Sequence, residues 1–67
     1  MDIRRRLGRN IKVLREAQQI SQEELADRAQ LHRTYVSGVE RGVRNPTITV
    51  IEKFAKALKV SIGQLAD

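Results

Sequence analysis

The segment from residue 21 to residue 42, SQEELADRAQLHRTYVSGVERG, leaves the chain few ways to fold. Its apolar spacing fits two short amphipathic helices joined by a tight turn. Ser21 followed by Glu24 has the S-x-x-E form of a capping box, which starts the first of them at a defined residue. Leu25, Ala26 and Ala29 are its buried positions, and Ala26 is small enough to let the next helix cross closely. The second helix is expected over about residues 33–41, with Gly42 where a left-handed terminator is wanted. At about 100° per residue, Arg33, Thr34, Ser37, Gly38 and Arg41 share one arc, and Tyr35, Val36 and Val39 the other. The first arc contains no acid. A lightly built helix face that is basic and hydroxylated suits a groove lined by phosphates, so duplex DNA is the first partner to consider.

The flanking sequence supplies three more helices. Ile3, Leu7, Ile11 and Leu14 form one stripe of a helix over about residues 3–17, with Arg5, Arg9 and Lys12 pointing away from it. Arg15 borders that stripe, so its guanidinium is within reach of another helix. Arg44-Asn45-Pro46 is a loop, because the residue before proline resists helix. Thr47 then caps a fourth helix whose core stripe is Ile48, Ile51, Phe54, Ala55 and Leu58. Ser61 and Gln64 make a second capping box, opening a short last helix that buries Ile62 and Leu65. Tyr35 is expected as a wedge between the third and fourth helices. The expectation is a single all-α, five-helix domain over residues 1–67.

Composition narrows the function classes. A chain of 67 residues buries only about 60% of the surface it exposes unfolded, so a substrate cavity would hollow out most of its core. There is no cysteine, which removes disulfides, thiolate zinc sites and thiol nucleophiles. His32 is the one histidine, and no metal set or cofactor site can be assembled around it. The acids have local explanations: Glu24 closes the capping box, Glu23 favours the helix start, and Glu16 and Asp27 are solvated. None remains for a paired-carboxylate active site, so no enzyme is expected. No apolar run is long enough for a membrane span, and no signal-peptide core follows the N-terminal arginines. The chain therefore reads as soluble and cytoplasmic.

The net charge of +5 is unevenly placed. Arg4, Arg5, Arg6, Arg9, Lys12 and Arg15 face Asp2 alone, then Glu16, Glu23, Glu24 and Asp27 follow, then a second basic stretch. Such alternation can put one sign on one face, the footprint of a nucleic-acid binder. Charge alone also fits a membrane-surface segment, but the first helix already commits its Ile/Leu stripe to the core. The run Arg4-Arg5-Arg6 is either a solvated face or a nonspecific phosphate arm.

Five helices with a tight turn after the second resemble the lambdoid-repressor, or Cro/XRE, helix-turn-helix family. The residues that carry the resemblance are Ser21-Gln22-Glu23-Glu24-Leu25-Ala26, Val39-Glu40-Arg41-Gly42 and Asn45-Pro46-Thr47. Leu31 to Arg41 is also similar to the recognition segment of restriction-modification controller proteins. The resemblance implies sequence-specific DNA binding by a transcriptional regulator, with Gln22, Arg33, Thr34, Ser37 and Gly38 at the DNA. Ser21, at the head of the same segment, is counted with them. It further implies phosphate contacts from Arg44, Asn45 and Arg41, and an ion pair between Arg15 and Glu40. Two positions depart from the pattern. Gln30 stands where the family usually has glycine in the turn, and a left-handed conformation there costs roughly 1 kcal/mol. Gly38 lies inside a helix and loses about 1 kcal/mol against alanine.

Each of these residues also has a plainer role. Arg33 is either a solvated surface residue or, as a cation in the first turn where it opposes the macrodipole, one kept there for a guanine edge or phosphate. Thr34 and Ser37 are either tolerated helix-surface residues or within reach of DNA. Gln22 is either an ordinary exposed first-turn residue or a phosphate contact at a positive helix end. His32 serves packing, weak capping or a DNA contact. One recognition helix covers only a few base pairs, so a two-fold homodimer on a pseudo-palindrome is expected, with half-sites about 34 Å apart. Its dimer surface is expected at the C-terminal region around Ile62, Leu65 and the end of the fourth helix. The alternative is a protein-interaction module, such as an antitoxin, that uses this fold without reading DNA.

Overall fold

A computed structural model describes residues 2–67. Five helices follow one another: α1 (Ile3–Ala17), α2 (Gln22–Ala29), α3 (Arg33–Glu40), α4 (Ile48–Leu58) and α5 (Ile62–Ala66). No strand occurs among the described residues.

Local chemistry sets most of the boundaries. Ser21 Oγ accepts the Glu24 N–H at 3.0 Å, Thr47 Oγ1 accepts that of Val50 at 3.3 Å, and Ser61 Oγ accepts that of Gln64 at 3.2 Å. Each side chain satisfies one of the amides a helix start leaves open. The reciprocal half of the box forms at Ser61, whose N–H donates to Gln64 Oε1 at 2.9 Å. It does not form at Ser21. The Glu24 carboxylate instead takes the Arg28 Nε–H at 3.0 Å, one turn further along α2. Asp2 caps α1, a role the sequence reading missed.

Four of the helices also close alike. Gln19, Gln30 and Lys59 each have φ of 59°, and Gly42 has φ of 79°. After each comes an apolar residue whose N–H turns back to the preceding helix: Ile20 to the Arg15 carbonyl, Leu31 to Ala26, Val43 to Gly38 and Val60 to Ala55. This is the Schellman pattern, in which the apolar residue also packs inward. Ile20, Leu31 and Val60 do so. Three non-glycine residues thus hold a left-handed backbone at roughly 1 kcal/mol or more each, so the inward packing after them must outweigh that cost.

The core lies where α1 meets α3 and α5, and α2 meets α3 and α4. Phe54, Ile11, Leu25, Leu58, Leu65, Val36 and Val39 are wholly buried. Burial of such side chains contributes about 1.5–3 kcal/mol each, enough for Val36 and Val39 to fix which face of α3 turns inward. Gly8 of α1 lies against the carbonyls of Val39 and Glu40; a Cβ there would sit 2.7 Å from the Glu40 oxygen. That glycine lets α1 and α3 approach backbone to backbone.

Several expectations fail here. Ile48 and Ile3 are 67% and 64% exposed, not part of the core stripes. Each is the first residue of its helix, and helical side chains lean toward the N-terminus, so both project past the packed body. α3 packs mainly on α1 and α2, not α4, and Tyr35 is half-buried against the shared core instead of wedged between α3 and α4. Leu65 has no exposed surface, and Asn10 Nδ2 donates to its carbonyl at 2.8 Å. It is spent inside the domain and cannot belong to a dimer surface.

Candidate nucleic-acid interface

The inward arc of α3 leaves Arg33 and Thr34 exposed and Ser37 half-buried on the opposite side. Arg41, at the helix end, is exposed as well, and so are Arg44 and Asn45 in the following loop. Arg33 also lines a shallow open cleft with Ser21, Gln22, Glu23 and Arg15. The fold therefore brings the N-terminus of α2 beside the N-terminus of α3. Two helix ends with open N–H groups meet there, with Arg33 as the cation and the Glu23 carboxylate as an opposing charge.

Beneath that cleft lies the anchor expected for Arg15 and Glu40. Arg15 Nε and Nη2 donate to the two Glu40 carboxylate oxygens at 2.7 and 3.1 Å, while Nη1 donates to the Ile20 carbonyl at 2.9 Å. The Glu40 side chain is 2% exposed and that of Arg15 10%. The hydrogen bond to Glu40, and then its charge, hold the Arg15 pKa above its ordinary value against the opposing effect of burial. The pair ties the end of α3 to α1 and to the turn after α1.

Sequence reasoning missed a third member. Gln22 Nε2 donates to Glu40 Oε1 at 3.0 Å, so the buried carboxylate also orients the first residue of α2. Gln22 is half-buried, not simply exposed. Nothing in the spacing of residues 22 and 40 reveals this, because the two meet only when α2 and α3 cross.

Gly38 is the other departure. It shares the outward arc with Arg33, Thr34 and Ser37, yet it is buried, because the side chain of Arg44 lies over it. It cannot itself present an open surface to a ligand. His32 is exposed at the start of α3 and makes no capping hydrogen bond there.

Two short helices crossing at a tight turn, with a polar acid-free face on the second and a buried polar anchor behind it, define a helix-turn-helix protein. The helix-turn-helix family profile matches residues 11–65, and the chain belongs to that family. It is 43% identical to the control protein C.SmaI of Serratia marcescens over 97% of this chain and 77% of that one. The restriction-modification controller protein C.AhdI of Aeromonas hydrophila superposes with a TM-score of 0.90 at 42% identity, over 92% of this chain and 94% of that one. The controller protein C.Esp1396I, solved as a tetramer with its natural 35 base-pair operator, superposes with a TM-score of 0.86 at 33% identity, over the whole of this chain and 99% of that one.

Proposed function

We propose that the protein is a transcriptional regulator that binds double-stranded DNA sequence-specifically, with α3 in the major groove. The acid-free outer face of α3, set beside the N-terminus of α2, carries this reading. Arg33 and Thr34 are the exposed residues nearest the leading end of α3, with Ser37 one turn behind, and they are assigned to base edges. Ser21 and Gln22 lie at a positive helix end and take a phosphate, as do Arg41, Arg44 and Asn45 on the other flank. The relatives' character as control proteins of restriction-modification systems supports a regulatory role of the same kind.

The protein acts as a homodimer on a pseudo-palindromic site with half-sites about one helical turn, near 34 Å, apart. The dimer surface is assigned to the C-terminal region without Leu65, which the core consumes. A strict 1:1 complex on a full palindromic duplex in the ultracentrifuge would remove this assignment. Among the described residues no helix is long and apolar enough to cross a membrane, and a cytoplasmic location is assigned together with the DNA-binding role, in keeping with the family. No enzymatic step is assigned.

Selection from a random duplex library, followed by binding titrations in salt, tests the reading. A DNA reader selects a defined symmetric site and loses affinity steeply as salt rises. An interaction module of the same fold selects nothing and shows a flat salt response. Arg33→Ala should weaken the selected site by about 1–3 kcal/mol and relax preference at one position per half-site.

A further inference from the structure

We infer that Gly38 is a specificity-determining position that acts through Arg44: its missing side chain is a seat that holds the Arg44 guanidinium on the groove-facing side of α3. This rests on the DNA-reading function proposed above and changes one part of it, moving Arg44 from the flanking phosphate contacts to the base-reading face.

The geometry is specific. A Cβ on Gly38 would stand 2.7 Å from Arg44 Cγ, with Cδ and Nε at 3.6 and 3.5 Å. The shaft of Arg44 therefore lies directly on the α3 backbone. The chain reverses at Gly42, with φ of 79°, and the N–H groups of Val43 and Arg44 both donate to the Gly38 carbonyl, at 3.0 and 3.2 Å. Those two bonds bring the start of the Arg44 side chain back over the helix it has just left. Gly38 is on the arc of Arg33, Thr34, Ser37 and Arg41, so an arginine lying across it carries its charge along that same face.

Three arginines elsewhere are already paired, whereas Arg33 and Arg41 on the same face are as open as Arg44. Arg15 is bound to Glu40, Arg28 to Glu24 and Arg4 to Asp2. No hydrogen bond or ion pair found among the described residues uses the Arg44 guanidinium, and the residue is exposed. It is thus a cation positioned through its aliphatic part and open at its head. An arginine held in this way gives up less side-chain freedom on binding than one free in solvent.

The glycine has no other evident benefit. In a helix interior it costs about 1 kcal/mol relative to alanine. The three atoms nearest to an alanine methyl there all belong to the flexible Arg44 side chain. Gly8 differs in this respect, since its obstacles are the carbonyls of Val39 and Glu40. Alanine at position 38 should fold well and displace only Arg44.

The test is a double-mutant cycle of Gly38→Ala and Arg44→Ala in the full chain. Affinity is measured on the duplex that wild type selects from a random library and on its single-base variants, with thermal melts of each protein. Gly38→Ala should melt no lower than wild type, yet bind the selected duplex about tenfold more weakly, as expected for a disturbed bidentate base contact. It should lose preference at the same base pairs as Arg44→Ala, and it should cost nothing further once Arg44 is alanine. A lower melting temperature would contradict the steric argument. Wild-type affinity and preference in Gly38→Ala, a uniform loss across all duplexes, or an undiminished loss in the Arg44→Ala background would each overturn the seat while leaving the DNA-reading function intact. Wild type that selects no duplex would overturn both.

Discussion

Glu40→Leu removes a buried acceptor at nearly constant volume, so its effect reports the polar anchor rather than a cavity. Wild-type Glu40 receives two N–H groups from Arg15 and one from Gln22, at 2.7 to 3.1 Å. Leucine leaves all three without their partner. Arg15 retains the Ile20 carbonyl at 2.9 Å and has Glu16 at 3.9 Å, which eases the stranded charge. Breaking one side of a buried ion pair costs about 3–5 kcal/mol, and these remaining partners place the loss near the lower figure, about 3 kcal/mol. For a domain of this size that lowers the melting temperature by roughly 12–24 °C. Arg15→Met should cost a similar amount, because it leaves the Glu40 carboxylate with Gln22 alone. Combining the two should recover at least half of the summed loss, since no charge then remains to be kept from water. Urea melts of both single variants and the double variant give the coupling directly. DNA affinity of Glu40→Leu, measured well below its melting range, should also fall, because Gln22 loses its tether at the start of α2. Strictly additive stability losses would refute the reasoning: the side chains would then be neighbours without being coupled.

Other positions give sharper local tests. Gly8→Ala should cost at least about 2 kcal/mol in a urea melt, because its methyl would overlap fixed backbone carbonyls and no rotamer can relieve that. A neutral result would show that α1 and α3 can separate freely. Gln30→Gly should stabilise by about 0.5–1 kcal/mol, the relief of a left-handed backbone less the added freedom of the unfolded chain; a loss in the melt would mean the Gln30 side chain has a role of its own. The hydrogen bonds from the Arg4 side chain and then its backbone amide hold the Asp2 carboxyl below its ordinary pKa. Its cap is therefore fully present above the unfolded pKa and is lost as pH falls through the lower folded value. The Arg4 amide resonance should report fraying of the first turn of α1 only in strongly acid solution. Asp2→Asn should abolish that pH dependence, and its persistence would locate the titration elsewhere.

The helices and most of the faces they turn inward are legible in the chain alone. Caps at Ser21, Thr47 and Ser61, the stop at Gly42 and the apolar spacing all act within one or two turns of chain, so each can be read without knowing the fold. The division of α3 into Arg33, Thr34 and Ser37 outside and Val36 and Val39 inside follows from the same periodicity. Family resemblance implies the Arg15–Glu40 pair; periodicity adds that Arg15 and Glu40 each border the inward arc of their helix. What periodicity cannot give is how much of a face a neighbour covers. Ile3 and Ile48 have core-like spacing and remain exposed, because the packed length of a helix depends on where its neighbour ends. Nor does local pattern reveal contacts made by crossing helices. Gln22 reaches Glu40 and Gly8 meets the carbonyls of α3 only after the chain has closed on itself. Each of those contacts depends on the angle and distance between two helices, which no short window of sequence specifies.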